Sequence, residues 1–414
     1  MARKQRKQRK QKKNVYREKP AQENPQFQDT FKINQALKTG DYQLLRDIGR
    51  ETGFSSDAIR RRVWPYLLHC TDPEIQNTME GSPDVPHKDE SQVKLDVVRS
   101  FNSYPKNVGP EDKAKLEGQL DRVITHVLRA YPSLHYYQGF HDICSVFILL
   151  FGEKYACKLM EPVALFYKRY PFFFFISSAA NKSSIMEPIL KQLTILDTLI
   201  RLEDVDLYDF ITEAGVLPYY CLSWVITWCS HDLDDLEKIT RLFDLFLCSN
   251  PFMSIYFAAA VVLSRRDQVL ALECEISTLH SFLTKLPKDL DIQWLCQKAC
   301  ELEKKHPVFD IQCESTIALD ELSTVNRFEK DWVSIQTQEE LDTTLQDSII
   351  PLLKDKEERK PIKLLSKLPQ PSSNSILQKL RQLDRKDMAL YTLVTIGAGV
   401  GLLAMFMSNA DLVR

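Results

Sequence analysis

The chain has 414 residues, which is enough for one large domain or two ordinary ones with additional tails. Its formal net charge of −2 gives no overall case for binding nucleic acid, and its ten cysteines contain no CxxC pair. Neither Cys nor His shows the spacing of zinc ligands, and no GxxxxGK[ST] or GxGxxG loop occurs. The composition therefore predicts reduced core thiols in a cytosolic protein that has no phosphate-binding loop of its own.

The first thirty residues are polar, and they begin with a run of Arg, Lys and Gln. Such a segment cannot bury enough apolar area to order itself, so residues 1–30 are predicted to be a basic disordered tail. It could contact anionic lipid or RNA, or it could be a solvated tail or a localisation signal. It lacks the apolar segment of a secretory signal peptide.

From residue 31 onward, apolar residues recur at helical spacing and no sustained alternation indicates strands. Residues 31–305 are therefore predicted to form one all-α, multi-helix domain. The expected helices are 31–48, 58–68, 91–101, 111–130, 143–151, 160–170, 184–202, 219–230, 236–247 and 255–272. Three histidines in this region, His126, His231 and His280, stand alone in the sequence and are expected to be satisfied structural groups.

Asp96 and Arg99 stand three residues apart in the segment 91–101, which contains no Gly or Pro. In a helix the two side chains share one face, so the carboxylate can hold the guanidinium and direct its planar set of donors outward. An arginine held in this way suits the negative charge that develops in phosphoryl transfer. The alternative is an ordinary surface ion pair, worth a few tenths of a kcal/mol.

Arg60 and Trp64 are one helical turn apart in the segment 58–68. The basic cluster around Arg60 could meet phosphate, but an arginine that packs on a tryptophan is the commoner arrangement.

Gln138 and Gly139 stand among aromatic residues, just before a long apolar helix. The glycine permits a close backbone approach, and the carboxamide of Gln138 can bond a water molecule. The alternative is a loop glutamine at the start of a helix.

The composition of residues 306–387 shifts toward Glu, Lys, Gln, Ser and Pro, and this segment is predicted to be a flexible polar linker with one or two short helices.

Residues 388–410 contain no charged side chain. A helix of about twenty residues spans the roughly 30 Å hydrocarbon core, so this run is predicted to be a single transmembrane anchor. The basic residues just before it predict that the preceding chain lies in the cytosol.

Together these segments resemble the TBC family of Rab GTPase-activating proteins. The resemblance rests on an ordered set of motifs over roughly residues 50–265: Arg60-x-x-x-Trp64, Val93-x-x-Asp96-x-x-Arg99, Tyr136-x-Gln138-Gly139, Ser223-Trp-Val-Ile-Thr-Trp228 and Arg241-Leu-Phe-Asp244. Val93, Ser100 and Phe243 replace the Ile, Thr and Trp that are usual in the family. These replacements change packing shape and remove no reacting group.

The resemblance implies a GTPase activator that is not itself a hydrolase. Arg99 would be the arginine finger and Gln138 the glutamine finger, offered in trans to a Rab in its GTP form. Asp96 would position Arg99, and Tyr136 and Gly139 would support the Gln138 loop. Arg60 and Trp64 would stabilise the finger helix.

No cofactor is expected in this chain, since GTP and Mg²⁺ belong to the Rab. The string around Gln138 and the uncharged run resemble family members that act on Rabs of the early secretory pathway, with an anchor in the endoplasmic reticulum (ER) membrane. The alternative is a catalytically silent TBC-fold scaffold that binds Rabs or membrane-shaping proteins at the ER.

Overall fold

The computed structural model describes residues 25–71, 85–106, 108–169 and 187–354. These ranges are helical and contain no β-strand, as the sequence predicts. The helices, numbered here in chain order, are α1 (Pro25–Thr39), α2 (Tyr42–Glu51), α3 (Asp57–Leu67), α4 (Glu90–Val97), α5 (Pro110–Ala130), α6 (Phe140–Pro162), α7 (Glu187–Glu203), α8 (Val205–Glu213), α9 (Leu222–Thr227), α10 (Leu236–Leu247), α11 (Met253–Ser264), α12 (Arg266–Leu270), α13 (Ile276–Thr284), α14 (Ile292–Lys305), α15 (Val308–Ser315), α16 (Thr324–Phe328), α17 (Gln338–Thr344) and α18 (Ile350–Lys354). Three π-helical turns (Val163–Tyr167, Glu329–Val333 and Leu345–Ile349) and a 3₁₀ turn (Pro218–Cys221) extend or precede them.

Short polar side chains determine where several of these helices begin. The carboxylates of Asp41, Asp235 and Asp291 accept a backbone N–H in the first turn of α2, α10 and α14. The hydroxyl of Ser56 does the same for α3. Each cap satisfies a donor that the helix itself leaves unpaired, which favours a defined start.

The core is built around α11, whose sequence Met-Ser-Ile-Tyr-Phe-Ala-Ala-Ala-Val-Val-Leu-Ser is apolar on nearly every side. Its residues from Met253 to Val262 are buried, and it packs against α7 and α14. A helix that is apolar all round is stable only inside a protein, so α11 lies at the centre and amphipathic helices surround it.

Four helices hold the region of the motifs in place. The hairpin of α5 and α6 is the most extensive helix pair, and the short helix α4 packs against both of its members. Helix α9 packs on α6. The chain ends of α4 and α9 and the start of α6 are thereby fixed relative to one another.

The domain extends further along the chain than expected, because residues 308–354 form helices α15 to α18 and pack on the core. The Trp332 side chain is fully buried, and its Nε1 donates to the hydroxyl of Tyr167 at 2.7 Å. The prediction that the flexible linker begins at residue 306 is therefore wrong up to residue 354. Many residues around Trp332 are polar because they form the outward faces of short helices. The average composition of the segment is therefore polar, and it does not indicate the buried apolar face.

The remaining part of that linker, 355–387, the run 388–410 and residues 1–24 of the basic tail lie outside the described residues. Residues 25–30, predicted to belong to the disordered tail, instead form the first turns of α1. Among the helices that are described, none combines the length and the apolar character needed to cross a bilayer. All ten cysteines fall within the described ranges without forming a disulfide, and seven of them are buried.

Candidate functional site

The centre of the site is the carboxylate of Asp96, near the end of α4, which is completely buried. It accepts from Nη2 of Arg99 and, at 2.8 Å, from the hydroxyl of Tyr136. Nδ1 of His141 lies 3.6 Å from the carboxylate and 2.9 Å from the hydroxyl of Tyr136. Burial and the neighbouring carboxylate raise the pKa of Tyr136 well above its ordinary value, so the phenol stays protonated and donates its proton to Asp96.

Arg99 lies two residues beyond the end of α4, in a turn closed by a hydrogen bond from its backbone N–H to the carbonyl oxygen of Asp96 at 3.0 Å. Its side chain is 56 % exposed, although its carboxylate partner is fully buried. The guanidinium is therefore held on one side and free to donate on the other. A charge-assisted hydrogen bond to a rigid, buried acceptor limits the rotamers that the side chain explores.

Gln138 is half-buried and follows the buried residues Tyr136 and Tyr137. Asp89 accepts the backbone N–H of Tyr136 at 2.9 Å, which fixes the start of this loop. Among the residues that the structure describes, no partner is recorded for the carboxamide of Gln138. Its donors and acceptor are therefore available to a bound molecule.

Gly139 shows why the loop requires a glycine. It adopts φ +109°, in the left-handed region that disfavours residues with a Cβ. A Cβ at this position would also lie 2.8 Å from Cγ2 of Thr227 in α9. The close approach observed at Gly139 is therefore to the chain's own helix α9, whereas the sequence suggested an approach to a partner, which stays a prediction.

Arg99 and Gln138 line the same pocket, which has a volume of about 310 Å³. Its walls come from residues 99–104 after α4, from residues within 138–145 at the start of α6, and from residues within 223–231 around α9. The separation of residues 99 and 138 in the sequence does not predict that they share a pocket. They share it because α4 packs on α6, whose first turn follows Gln138.

Sequence reasoning missed His231, which was expected to be an isolated structural histidine. The structure places it in the pocket wall, with Nδ1 3.1 Å from Oδ2 of Asp142. The hydrogen bond that His231 donates to the Asp142 carboxylate is the main cause that raises the pKa of His231 to about 9. Residues 142 and 231 belong to different helical regions, so no local pattern could have paired them.

The chain reaches His231 through an unusual backbone turn. Trp228 and Cys229, at the end of α9, both have positive φ angles, 54° and 61°. Such angles are strained for residues other than glycine, and surrounding structure must hold them in place. Trp228 is buried, and the hydroxyl of Tyr104 donates to the carbonyl oxygen of Ser230 at 3.0 Å.

Arg60 and Trp64 lie elsewhere and line no part of this pocket. Both donate to the carboxylate of Asp244 in α10, from Nη2 of Arg60 at 2.9 Å and from Nε1 of Trp64 at 2.8 Å. The backbone N–H of Phe54 donates to the same group at 2.9 Å. Their observed contacts therefore join α3 to α10. Stabilisation of the finger helix by these two residues stays a prediction.

The described residues contain no group of three or more His, Cys, Asp or Glu side chains that could hold a metal ion. The chemistry available in the pocket is that of charged and polar donors, which can orient a bound group and stabilise negative charge.

Comparisons with known proteins agree with this architecture. A family model described as the Rab-GTPase-TBC domain matches residues 57–270. TBC1 domain family member 20 of Homo sapiens is 31% identical over 353 residues, which cover 84% of this chain and 83% of that protein. The GTPase-activating protein gyp10 of Schizosaccharomyces pombe is 33% identical over 281 residues, 66% of this chain and 71% of its own length. The crystal structure of the Ypt/Rab-GAP domain of Gyp1p, 17% identical, superposes with a TM-score of 0.54 over 68% of this chain and 99% of that chain, which supports the same fold.

Proposed function

Because the chain belongs to the TBC family of Rab GTPase-activating proteins, we propose that it accelerates GTP hydrolysis by Rabs of the early secretory pathway. In this proposal Arg99 and Gln138 act in trans on a Rab in its GTP form. The Rab brings the GTP and the Mg²⁺, and this chain adds two side chains to a nucleotide site that the Rab already holds.

One observation supports the proposal most strongly. Arg99 and Gln138 line a single open pocket, with Arg99 attached to a buried carboxylate. A cation whose position is fixed before the reaction can offset the charge that develops on the transferring phosphoryl group without reorganisation. A free carboxamide nearby can orient the attacking water by donating and accepting hydrogen bonds.

The direct test is single-turnover GTP hydrolysis by a panel of Rab GTPases, with the full chain added in increasing amounts. Stimulation of at least one Rab of the early secretory pathway is expected. Binding of Rabs without stimulation of any of them would instead favour the catalytically silent scaffold.

Replacing Gln138 with alanine should slow the stimulated reaction by roughly 10²-fold, the effect of losing one positioned polar group in an active site. The loss should appear in kcat, because water is oriented in the transition state and Rab docking does not depend on it. The measurement is the stimulated single-turnover rate on the most responsive Rab. Gln43→Ala is the matched control, since Gln43 is exposed on α2 and, among the described residues, its side chain donates to Asp47 on the same helix. Equal rates for the two variants would remove Gln138 from the mechanism.

We further propose that residues 388–410 anchor the chain in the ER membrane, with the domain on the cytosolic side. The support comes from the sequence, in which an uncharged run of membrane-spanning length follows a basic segment. ER membrane-shaping proteins are a further class of partner on this proposal.

Deleting residues 388–414 should move the protein from the membrane fraction to the soluble fraction, because the apolar run is the part that the bilayer accommodates. Flotation of cell membranes on a density gradient measures the distribution. As the control, fusing an unrelated transmembrane segment to the deleted chain should restore flotation. A deleted chain that still floats would overturn the anchoring proposal.

A further inference from the structure

The pocket wall contains a second basic side chain besides Arg99, that of His231. His231 lies in the part of the pocket wall formed by residues around α9, and its Nδ1 is 3.1 Å from Oδ2 of Asp142. The His231 side chain is 40 % exposed, and no partner is recorded for its Nε2 among the described residues. The ring is thus held through one nitrogen and leaves the other available to a bound molecule.

Three charged groups near His231 raise or lower the pKa of its imidazole: Asp142, Arg99 and Asp232. Asp142 comes from the first turn of α6, and its Oδ2 also lies 3.4 Å from Nε2 of His141. Arg99 is close enough to lower the pKa of His231, although the Asp142 carboxylate outweighs it. Below pH 9 the imidazole is mostly protonated, so both of its nitrogens carry donors.

Asp232 is the remaining charged neighbour. Burial raises the pKa of its carboxyl to about 7, and the hydroxyl of Ser223 donates to its Oδ1 at 2.9 Å. When Asp232 loses its proton near neutral pH, its negative charge raises the pKa of His231. The Asp232 charge therefore adds to the effect of the Asp142 carboxylate, which remains the main cause of the raised pKa of His231.

We propose that His231, oriented by Asp142, is a third functional side chain of the pocket and donates through Nε2 to an anionic oxygen of the bound Rab·GTP complex. This inference depends on the proposed function. Arg99 and His231 then approach the partner from two walls of one pocket, each with its own carboxylate, so the pair presents directed donors and little unbalanced charge. The acceptor is a phosphate oxygen of the nucleotide or a carboxylate on the Rab surface.

The test compares the full chain with His231→Ala on a responsive Rab. At pH 7 the substitution should lower kcat/KM by roughly 10–10²-fold, the effect of losing one charge-assisted hydrogen bond. The wild-type profile should fall as pH rises through about 9, because the folded imidazolium then loses its proton. This decline should be absent from the His231→Ala profile. His306→Ala is the matched control, since His306 also pairs with a carboxylate, Glu203, at 2.6 Å and lies outside the pocket.

Failure of the proposed function and failure of the His231 inference give different results. If the wild type stimulates no Rab, the proposed function itself fails. If the wild type is active and His231→Ala matches it, or loses activity by the same factor at every pH with the decline near pH 9 unchanged, His231 has no direct role and only this inference is overturned. Binding to Rab·GDP with and without aluminium fluoride then identifies the acceptor. A loss confined to the aluminium fluoride complex indicates phosphate, and an equal loss in both indicates a Rab carboxylate.

Discussion

Replacing Arg99 with alanine is expected to slow stimulated GTP hydrolysis by roughly 10³–10⁵-fold, the range associated with an arginine supplied in trans. This corresponds to about 4–7 kcal/mol of activation free energy. The geometry suits this role, since the guanidinium of Arg99 is attached to a buried carboxylate and its side chain is 56 % exposed. A surface ion pair contributes at most about 1 kcal/mol, so a loss of this size would distinguish catalysis from simple adhesion.

The chain offers a closely matched control for this prediction. Arg122 is 54 % exposed and also pairs with a carboxylate, Glu153, on the surface of the α5–α6 hairpin. Arg122→Ala should leave the stimulated rate within twofold of the wild type. Arg99→Lys should recover only a small part of the lost rate, because an ammonium lacks the planar set of donors that can bind Asp96 and a second acceptor together. Single-turnover rates for the three variants measure this, and an Arg99→Ala chain as fast as Arg122→Ala would refute the arginine finger.

Replacing Asp244 with alanine is expected to lower the free energy of unfolding by about 3–5 kcal/mol, the cost of removing one partner from a buried ion pair. Asp244 is fully buried and accepts from Arg60, Trp64 and the backbone of Phe54. Without its carboxylate, the guanidinium of Arg60 remains buried with its main counter-charge absent. Denaturant unfolding followed by circular dichroism measures the change.

Asp47→Ala is the control for this second prediction, because Asp47 accepts only an exposed hydrogen bond from Gln43 and should change stability by less than about 0.5 kcal/mol. Arg60→Ala should reproduce part of the loss, since it removes the other member of the pair. If Asp244→Ala unfolds at the same denaturant concentration as the wild type, Asp244 does not join α3 to α10. The assignment of Arg60 and Trp64 to this junction would then be wrong.

The sequence was most informative where the pattern is local. Helical spacing predicted α5 to within one residue of its observed start at Pro110 and gave the bounds of α10 correctly, because the apolar faces of both helices are regular. The ion pair of Asp96 and Arg99 could also be predicted, since three residues in a helical turn bring side chains together.

Contacts between segments that are distant in the sequence could not be predicted from local sequence patterns. The common pocket of Arg99 and Gln138 was expected only through family resemblance, and the pairing of Asp142 with His231 was not expected at all. The segment 308–354 was misjudged for a related reason. Composition averages over both faces of a short helix, so the polar residues around Phe328 and Trp332 concealed two buried aromatic side chains.

On the anchoring proposal, the folding of residues 308–354 onto the domain limits the distance between the proposed catalytic site and the membrane. Only residues 355–387 separate the last described helix from the proposed anchor. A polypeptide spans at most about 3.5 Å per residue, so this stretch covers no more than roughly 115 Å, whereas a tether that began at residue 306 would cover up to about 290 Å. If residues 388–410 anchor the chain as proposed, a Rab on a facing bilayer can be reached only when the gap between the two membranes is smaller than that shorter length plus the width of the domain.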